Sequence, residues 1–366
     1  MSSKPRNLFT YASAGVDTDA LATGMRGLLD WIGKTREFRE GPGAFETGSG
    51  FFASVLRLTD QLALAISTDG VGSKSVVAQL AGSYEGIGYD VVAVNVNDVV
   101  CVGAEPVALV DYISIQEPRA DLLAALGRGM HDGAARAGVA IVGGELSLHP
   151  DSLAGPRPGY AFDATGTCVG LLDRRAPIMG AAVAPGDVVL GMASEGIHAN
   201  GMTLARRVLL GDPEALTRVV PGLGHTIGEE LLRPTHIYVP EVLALLRAGV
   251  DVHGLAHISG GGLLNLTRLE AEVGYHIDAL PAVPQVFDLI REAGEVDITE
   301  MFRVFNMGVG FCAVVPPGAV ADALAAVRGA GGDAQPIGVA VAGERRVEIE
   351  PYHLIGSDGY FQEQAI

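Results

Sequence analysis

A short apolar run that ends in a glycine-rich polar stretch is the feature that constrains this chain most. Residues 62–66 are predicted to form a buried strand, and residues 67–74 have the sequence Ser-Thr-Asp-Gly-Val-Gly-Ser-Lys. The two glycines allow the backbone to take positive φ and to approach a ligand closely. Asp69 offers oxygen to a hard cation, and Ser73 and Lys74 offer donors to an anion. By itself, the stretch is equally typical of an ordinary surface turn.

Two loops in the second half repeat this layout of an apolar strand followed by a glycine turn. A predicted strand over 188–193 runs into residues 194–201, and a helix is predicted from Met202. Backbone N–H groups at the start of a helix attract anions, so this order is typical of a phosphate site. His198 is a candidate acid–base group or anion donor, although capping and packing would also account for it. A short apolar strand before the three glycines at 260–262 predicts a second phosphate-type loop.

Further acidic positions occur in the first half. Residues 90–103 are predicted to form a helix capped by Asp90, although their valines also favour a strand. On a helix, Asn95 and Asp98 would share one face, because they are three residues apart. A strand over 139–142 is predicted to end in a Gly-Gly-Glu turn that offers another carboxylate as a ligand, with a solvated turn acid as the alternative.

The composition limits the kinds of partner. With 366 residues, 48% of them hydrophobic and 19% charged, the chain is long and apolar enough for two packed domains. Its formal net charge of −18 excludes nucleic-acid binding through a general positive field. A small phosphorylated ligand stays compatible with this charge, because a few local cations and a bound Mg²⁺ can reverse the sign within one pocket.

The cysteines and the N-terminus indicate the compartment. The three cysteines are far apart and include no Cys-x-x-Cys pair, so neither a zinc site nor a disulfide framework is predicted. Buried thiols fit a reducing compartment. No apolar segment follows Lys4 and Arg6, and no run of eighteen apolar residues occurs. We therefore expect a cytoplasmic protein with neither a secretory signal nor a membrane span.

Predicted strands and helices alternate irregularly in both halves, which favours an α+β sandwich in each half over one doubly wound sheet. Basic residues and prolines over 174–185 indicate a boundary. We predict an N-terminal domain over 1–173, a C-terminal domain over 174–350 and a polar tail over 351–366. An amphipathic helix is predicted over 20–34, with its apolar stripe as the buried face.

The order of the motifs is more specific than any one of them. No P-loop, Rossmann fingerprint or His-Glu-x-x-His motif occurs, so nucleotide chemistry would need another scaffold. The separated motifs resemble those of the phosphoribosylformylglycinamidine cyclo-ligase (AIR synthetase) family, and the resemblance runs from Tyr11 to about Glu350. It rests on Tyr-Ala-Ser-Ala-Gly-Val-Asp at 11–17, Thr-Asp-Gly-Val-Gly-Ser-Lys at 68–74, Asn97-Asp98, Gly103 to Pro106, Gly143-Gly144-Glu145, Gly196 to Gly201, Pro234 to Tyr238, Ala256 to Gly262 and Phe305 to Gly310.

The resemblance implies a fold, a reaction and a set of site residues. The fold would have two α+β domains, with N-terminal domains that form a shared β-barrel in a homodimer. ATP, with Mg²⁺, would phosphorylate the amide oxygen of formylglycinamidine ribonucleotide, a phosphoribosyl amidine, and the amidine nitrogen would then close the imidazole ring in purine biosynthesis. Catalytic roles are expected for Asp69, Lys74 and His198, and metal binding for Asp69, Asp98 and Glu145. ATP or phosphate binding is expected for Gly70, Gly72, Ser73, Asp98, Gly143, Gly144, Asn200, Gly201, Gly260, Gly261 and Gly262.

The chain departs from the family pattern after Glu145. Leu148 stands where the family has a second acid, the loop over 146–160 is altered and lengthened, and Ala199 replaces a serine. Two alternatives therefore stay open. One is a related ATP-dependent enzyme on the scaffold that formylglycinamidine synthetase, selenophosphate synthetase and thiamine-phosphate kinase share. The other is a non-catalytic paralogue that binds nucleotide.

Overall fold

The computed structural model describes residues 9–48, 50–212, 214–220 and 222–364. Within these residues, each half of the chain builds one β-sheet with helices packed on it. The first half contains α1 (Thr18–Ile32), β1 (Ser54–Arg57), β2 (Leu62–Gly70), α2 (Lys74–Ala81), α3 (Glu85–Val100), β3 (Glu105–Ile115), α4 (Ala120–Ala137), β4 (Ala140–Leu148) and β5 (Phe162–Asp173).

The second half begins with a strand that the sequence predicts residue for residue. It contains β6 (Val188–Ala193), α5 (Met202–Leu209), α6 (Ile227–Leu231), α7 (Val239–Arg247), β7 (Gly254–His257), β8 (Val273–Ile277), α8 (Gln285–Gly294), α9 (Ile298–Val304), β9 (Val309–Val315), α10 (Val320–Gly329), β10 (Ala334–Ala342), β11 (Val347–Ile349), β12 (Leu354–Ser357) and β13 (Tyr360–Glu363). Short 3₁₀ helices lie at Gly33–Phe38, Ala215–Thr217, Gly262–Arg268, Pro317–Ala319 and Glu350–Tyr352.

Both sheets are mixed. The first has the order β1-β2-β5-β3-β4, in which only the β3–β4 pair is parallel. The second has the order β13-β12-β11-β8-β10-β6-β9-β7, with a parallel β11–β8 pair. One cluster of buried apolar side chains continues through both halves. The prediction of an α+β fold with a sheet in each half is confirmed.

Several predicted turns are in fact strands. Strand β2 continues through Gly70, because residues 69 and 70 pair with Gly166 and Thr165 of β5. The Gly-Gly-Glu stretch lies inside β4, which pairs with β3 as far as Leu148. In both places a strand partner distant in the sequence keeps the backbone extended. Within the polar tail, Leu354–Ser357 and Tyr360–Glu363 form the strands β12 and β13.

Helix α1 forms where it is predicted, but its apolar stripe is not buried. Leu21, Leu28 and Leu29 are each exposed by 45% or more, and α1 has no buried residue in the described part of the chain. The prediction of a buried face is therefore wrong for this structure. None of the described helices combines the length and apolar character needed to cross a membrane.

Glycines bring α3 and α4 into close contact. A Cβ atom on Gly129 of α4 would overlap the carbonyl oxygen of Glu85, and one on Gly88 of α3 would overlap that of Leu126. Backbone therefore packs directly on backbone at this crossing. By contrast, a Cβ atom on Gly127 would meet no atom within 4 Å.

These two glycines of α4 give a stability test within one helix. We expect Gly129→Ala to lower the free energy of unfolding by about 1–3 kcal/mol, because the methyl group would force the helices apart. The matched control is Gly127→Ala, which should leave stability unchanged or raise it by up to about 1 kcal/mol through helix propensity. Urea unfolding followed by circular dichroism measures both. Equal effects would contradict the close packing.

Candidate active site

Helix α3 fixes the end of strand β2 through one buried amide. The Asn95 side chain accepts a hydrogen bond from the Asp69 N–H at 2.9 Å and donates to the Asp69 carbonyl oxygen at 3.1 Å. A Cβ atom on Gly166, the β5 residue paired with Asp69, would lie 2.8 Å from the Asn95 Nδ2 atom, so glycine leaves room for this amide. Asp69 is therefore held on the helix-facing side of the sheet.

A second carboxylate from α3 joins Asp69 and reaches the other half of the chain. Asp98 Oδ1 lies 2.8 Å from Nδ1 of His257, a buried residue at the end of β7. Burial raises the pKa of Asp69, the Gly70 N–H at 2.7 Å opposes this, and the negative charge of Asp98 raises the pKa further. The two carboxylates therefore lie close enough to repel each other, even though Asp69 still reaches solvent. Two neighbouring carboxylates offer oxygen ligands and negative charge, and both favour the binding of a divalent cation.

His198 is buried in a strained backbone conformation. Its φ is +64°, and neither ring nitrogen has a hydrogen-bond partner among the described residues. It shares a narrow cavity with Asn200, His257 and Ser259. Burial lowers the pKa of His198 well below its usual value, and the neighbouring His257, Lys74 and His236 lower it further. The imidazole is therefore neutral at neutral pH, and the same surroundings disfavour its protonated form.

The loop that carries His198 is held by a buried amide. The Asn306 Oδ1 atom accepts from the Ser194 hydroxyl at 2.7 Å, and its Nδ2 donates to the Gly196 carbonyl oxygen at 2.9 Å. A Cβ atom on Gly310 would lie 2.7 Å from Cε1 of His198. The same Cβ atom would overlap the Tyr238 hydroxyl, so this hydroxyl and the His198 ring together occupy the space that the missing side chain leaves.

The predicted glycine loops of the second half come together beside this histidine. A Cβ atom on Gly260 would lie 3.2 Å from Oδ1 of Asn200, so the two loops are in contact. Gly261 and Gly262 have φ of +98° and +57°, and Gly201, the residue before α5, has φ of +77°. Glycine is favoured at such angles because side chains are strained there.

The turn after β2 touches the start of α5. Gly72 has φ of +54° and is exposed, and Ser73 Oγ lies 2.7 Å from Oγ1 of Thr203. Gly70 is required by packing, since a Cβ atom there would lie 2.7 Å from Cγ2 of Thr165. The structure thus brings the glycine turn at residues 70–73 of the first half next to the start of α5, which the sequence predicts as a phosphate site.

Lys74 lies away from any open surface. Its Nζ atom is 2.7 Å from Oδ2 of Asp90 and donates to the Arg233 carbonyl oxygen at 2.6 Å, and both charged side chains are fully buried. Asp90 also accepts from the Thr235 N–H at 2.6 Å. The prediction that Asp90 caps a helix is wrong, because α3 begins five residues earlier, at Glu85. In this arrangement, Lys74 joins the two halves of the chain through contacts with Asp90 and Arg233.

Glu145 is not brought to the other two carboxylates. It lies on β4, whose neighbouring residue Gly144 faces the carboxylate of Asp111 on the helix-facing side. Because side chains alternate along a strand, Glu145 points to the opposite side of the sheet from Asp69. No cluster of three or more His, Cys, Asp or Glu residues that could hold a metal occurs in the described ranges. Gly143 and Gly144 lie on this exposed edge strand with it.

The altered loop after β4 packs on α2 and its neighbours. Arg157 donates to the Tyr84 hydroxyl at 2.9 Å, and a Cβ atom on Gly155 would overlap the side chain of Gln79. The Gly159 N–H donates to Gln116 at 2.9 Å. The lengthened segment is thus anchored to the first half.

Sequence reasoning missed His257 and Asp111 as residues of this region, and it placed Asn95 beside Asp98 on α3 without giving it a role. His257 lies two residues before the Ser-Gly-Gly-Gly stretch, and that position was the available signal. Asp111 shares a row across the sheet with Asp69, and burial raises its pKa. That row exists only once β5 lies between β2 and β3, so no local pattern could reveal it.

The Lys74–Asp90 pair gives a test of structural role. We expect Lys74→Met to lower the free energy of unfolding by about 3–5 kcal/mol, because it leaves the Asp90 carboxylate buried without a cation. Adding Asp90→Asn to Lys74→Met should recover part of this loss, because the neutral amide can still accept from Thr235. The control is Arg128→Ala, which removes an exposed ion pair with Glu85 and should cost under about 1 kcal/mol. Urea unfolding measures all three, and equal losses from Lys74→Met and Arg128→Ala would contradict the role.

Comparison with known proteins finds similar sequences over most of the chain. Family models described as the N-terminal and C-terminal domains of AIR synthase related protein match residues 52–172 and 184–350. A phosphoribosylformylglycinamidine cyclo-ligase of Methanothermobacter thermautotrophicus is 44% identical over 94% of this chain and 97% of its own. That of Thermococcus kodakarensis is 46% identical over 84% of this chain and 89% of its own.

A solved structure shows the same fold at low sequence identity. The hydrogenase maturation protein HypE in complex with ATP superposes with a TM-score of 0.57 over 83% of this chain and 84% of its own, at 20% identity. At this identity the likeness concerns the fold alone.

Proposed function

Because this chain belongs to the AIR synthase related family, we propose that it is an ATP-dependent cyclo-ligase that converts formylglycinamidine ribonucleotide to aminoimidazole ribonucleotide, with ADP and phosphate as the other products. The observation that carries the proposal is the junction of the two halves, where Asp69, Asp98, His257 and His198 meet beside the glycine loops. Relatives named for this activity match nearly the whole chain.

The chemistry needs a charged nucleotide, an activated amide and a proton acceptor. The γ-phosphoryl group of ATP passes to the amide oxygen, the amidine nitrogen attacks the activated carbon, and phosphate leaves as the ring closes. The attacking nitrogen loses a proton in the process. We propose that His198 accepts that proton, because it lies next to Asn200 and neither ring nitrogen has a hydrogen-bond partner among the described residues. The negative charge of bound phosphate groups would raise its low pKa toward the working pH.

The two close carboxylates fit a magnesium ion. We propose that Asp69 and Asp98 would hold Mg²⁺, whose remaining ligand positions suit phosphate oxygens and water. When bound, the ion would offset the negative charge of the nucleotide phosphates. This proposal uses two of the three carboxylates that the resemblance implies, because Glu145 lies on the opposite side of the sheet.

The remaining predicted residues divide by their surroundings. We propose that Gly72, Ser73, Asn200, Gly260 and Gly261 contact phosphate groups, because they are exposed or partly exposed at the junction. Gly262 is buried and supports the turn. We assign Lys74 a positioning role, since a direct phosphate contact would require its ion pair with Asp90 to break. We also retain the cytoplasm as the expected location, because all three thiols are free and buried.

The activity assay tests the function directly. Purified protein with ATP, Mg²⁺ and formylglycinamidine ribonucleotide should yield ADP and aminoimidazole ribonucleotide in equal amounts. We expect Asp98→Asn to lower kcat/KM at least about 100-fold, because a weaker Mg²⁺ site would no longer offset the negative charge of the nucleotide phosphates. Asp60→Asn, which changes an exposed carboxylate, should retain activity. ATP binding without product would favour the non-catalytic paralogue, and turnover on another acceptor would favour a related kinase or ligase.

We propose that the outer face of the first sheet forms a homodimer interface. Val110 and Tyr112 of β3 lie two residues apart on that face, are exposed by 41% and 47%, and adjoin the exposed edge strand β4. Exposed apolar positions at a sheet edge are typical of association surfaces.

The dimer interface can be tested by sedimentation. Tyr112→Asp should shift the protein toward monomer in analytical ultracentrifugation, because a buried unpaired charge opposes association. The control is Val219→Asp, at an exposed apolar residue of the second half. A dimer that survives Tyr112→Asp at micromolar concentration would place the interface elsewhere.

A further inference from the structure

Helix α5 carries an arginine whose surroundings differ from those of the other arginines. Arg206 has no ion-pair or hydrogen-bond partner within the described ranges, yet it is only partly exposed. The other described arginines without a hydrogen bond or ion pair, such as Arg207, Arg291 and Arg328, are exposed to solvent. Exposed arginines need no protein partner, because water solvates them.

The charge around Arg206 is not compensated. Burial lowers its pKa, and the positive charge of the neighbouring Arg207 lowers it further, with no carboxylate raising it. Its Nε atom is buried and has no acceptor. A favourable interaction with the helix dipole accounts for cations near the end of α5, but not for a buried donor without a partner. The chain has 43 acidic and 25 basic residues, yet no carboxylate of the described residues pairs with Arg206. A partly buried arginine without an acidic partner in such a chain indicates that an external anion binds there.

Further donors lie on the same side of α5. Thr203 precedes Arg206 by three residues and therefore shares its face, and the Thr203 hydroxyl lies 2.7 Å from that of Ser73. The N–H groups of Gly72 and Ser73 have no acceptor in the described part of the chain. Successive free backbone N–H groups in a turn are suited to anions.

We infer that Arg206, together with Ser73 and Thr203, forms a binding site for a phosphate monoester. The inference rests on the proposed function, in which both the phosphoribosyl substrate and the nucleotide carry phosphate groups. A guanidinium group binds two phosphate oxygens at once through its planar fork, which a lysine cannot do. The site takes one phosphate group next to the junction where His198 and Asp98 lie.

The first experiment uses inorganic phosphate as the probe and needs no activity. Isothermal titration calorimetry of the full-length protein should show phosphate binding that Arg206→Gln weakens at least about tenfold. Arg206→Lys should recover only part of it. The matched control is Arg291→Gln, which removes an exposed, unpartnered arginine from α8 and should leave the affinity unchanged. Equal affinity in wild type and Arg206→Gln, with both proteins folded by circular dichroism, would overturn the inference.

Steady-state kinetics identifies the source of the phosphate. An increase of about tenfold or more in the KM of formylglycinamidine ribonucleotide, with the KM of ATP unchanged, assigns the site to the substrate. The reverse pattern assigns it to the nucleotide. If both KM values stay at the wild-type level in Arg206→Gln, the inference fails. A wild-type protein that binds phosphate through Arg206 but forms no aminoimidazole ribonucleotide would refute the proposed function and leave the phosphate site standing.

Discussion

The structure depends on buried polar side chains of α3 that the second half of the chain satisfies. Asp90 accepts from the Thr235 N–H, Asn97 accepts from the Tyr238 N–H and donates to the His236 carbonyl oxygen, and Asp98 contacts His257. Buried groups of this kind cost several kcal/mol when they lack partners. These contacts between α3 and the second half, which we call the seam, therefore fix the position of one half relative to the other. The same helix presents Asp98 to the candidate site, so packing and chemistry share one element.

The sequence predicts the local elements of this fold better than their partners. The apolar pattern locates β6 at residues 188–193 and, with the glycine turn that follows, the start of α5 at Met202. It fails where a strand partner decides the outcome, as at Gly70 and Glu145, because polar and glycine residues there resemble turns. It also fails for α1, whose stripe is amphipathic but has no described surface to cover it. Periodicity reports which face is apolar, not whether anything packs on it.

The candidate site shows the same division between chemistry and geometry. Residue types and motif order pointed to Asp69, Asp98, His198 and Asn200, and the fold brings these four into one region. Lys74 looked like a phosphate ligand because it follows a glycine turn, but it is the first residue of α2 and lies in the interior. Whether a cation faces a ligand or a buried carboxylate depends on the position of Asp90, sixteen residues away in the sequence. Nothing in the sequence of residues 67–74 indicates where Asp90 lies in the fold.

The seam along α3 also limits how such a chain can be divided. A fragment that ended after β5 would keep Lys74, Asp90 and Asn97 but lose the backbone of 233–238 that satisfies them. Water could then reach the buried face of α3 that packs on the second half. The apolar core that continues through both halves would become exposed as well. The two halves have separate sheets, yet we expect them to unfold as one cooperative unit because they share one core. Exchanging a half with that of another protein would succeed only if the donor supplied the same row of carbonyl and N–H groups opposite α3.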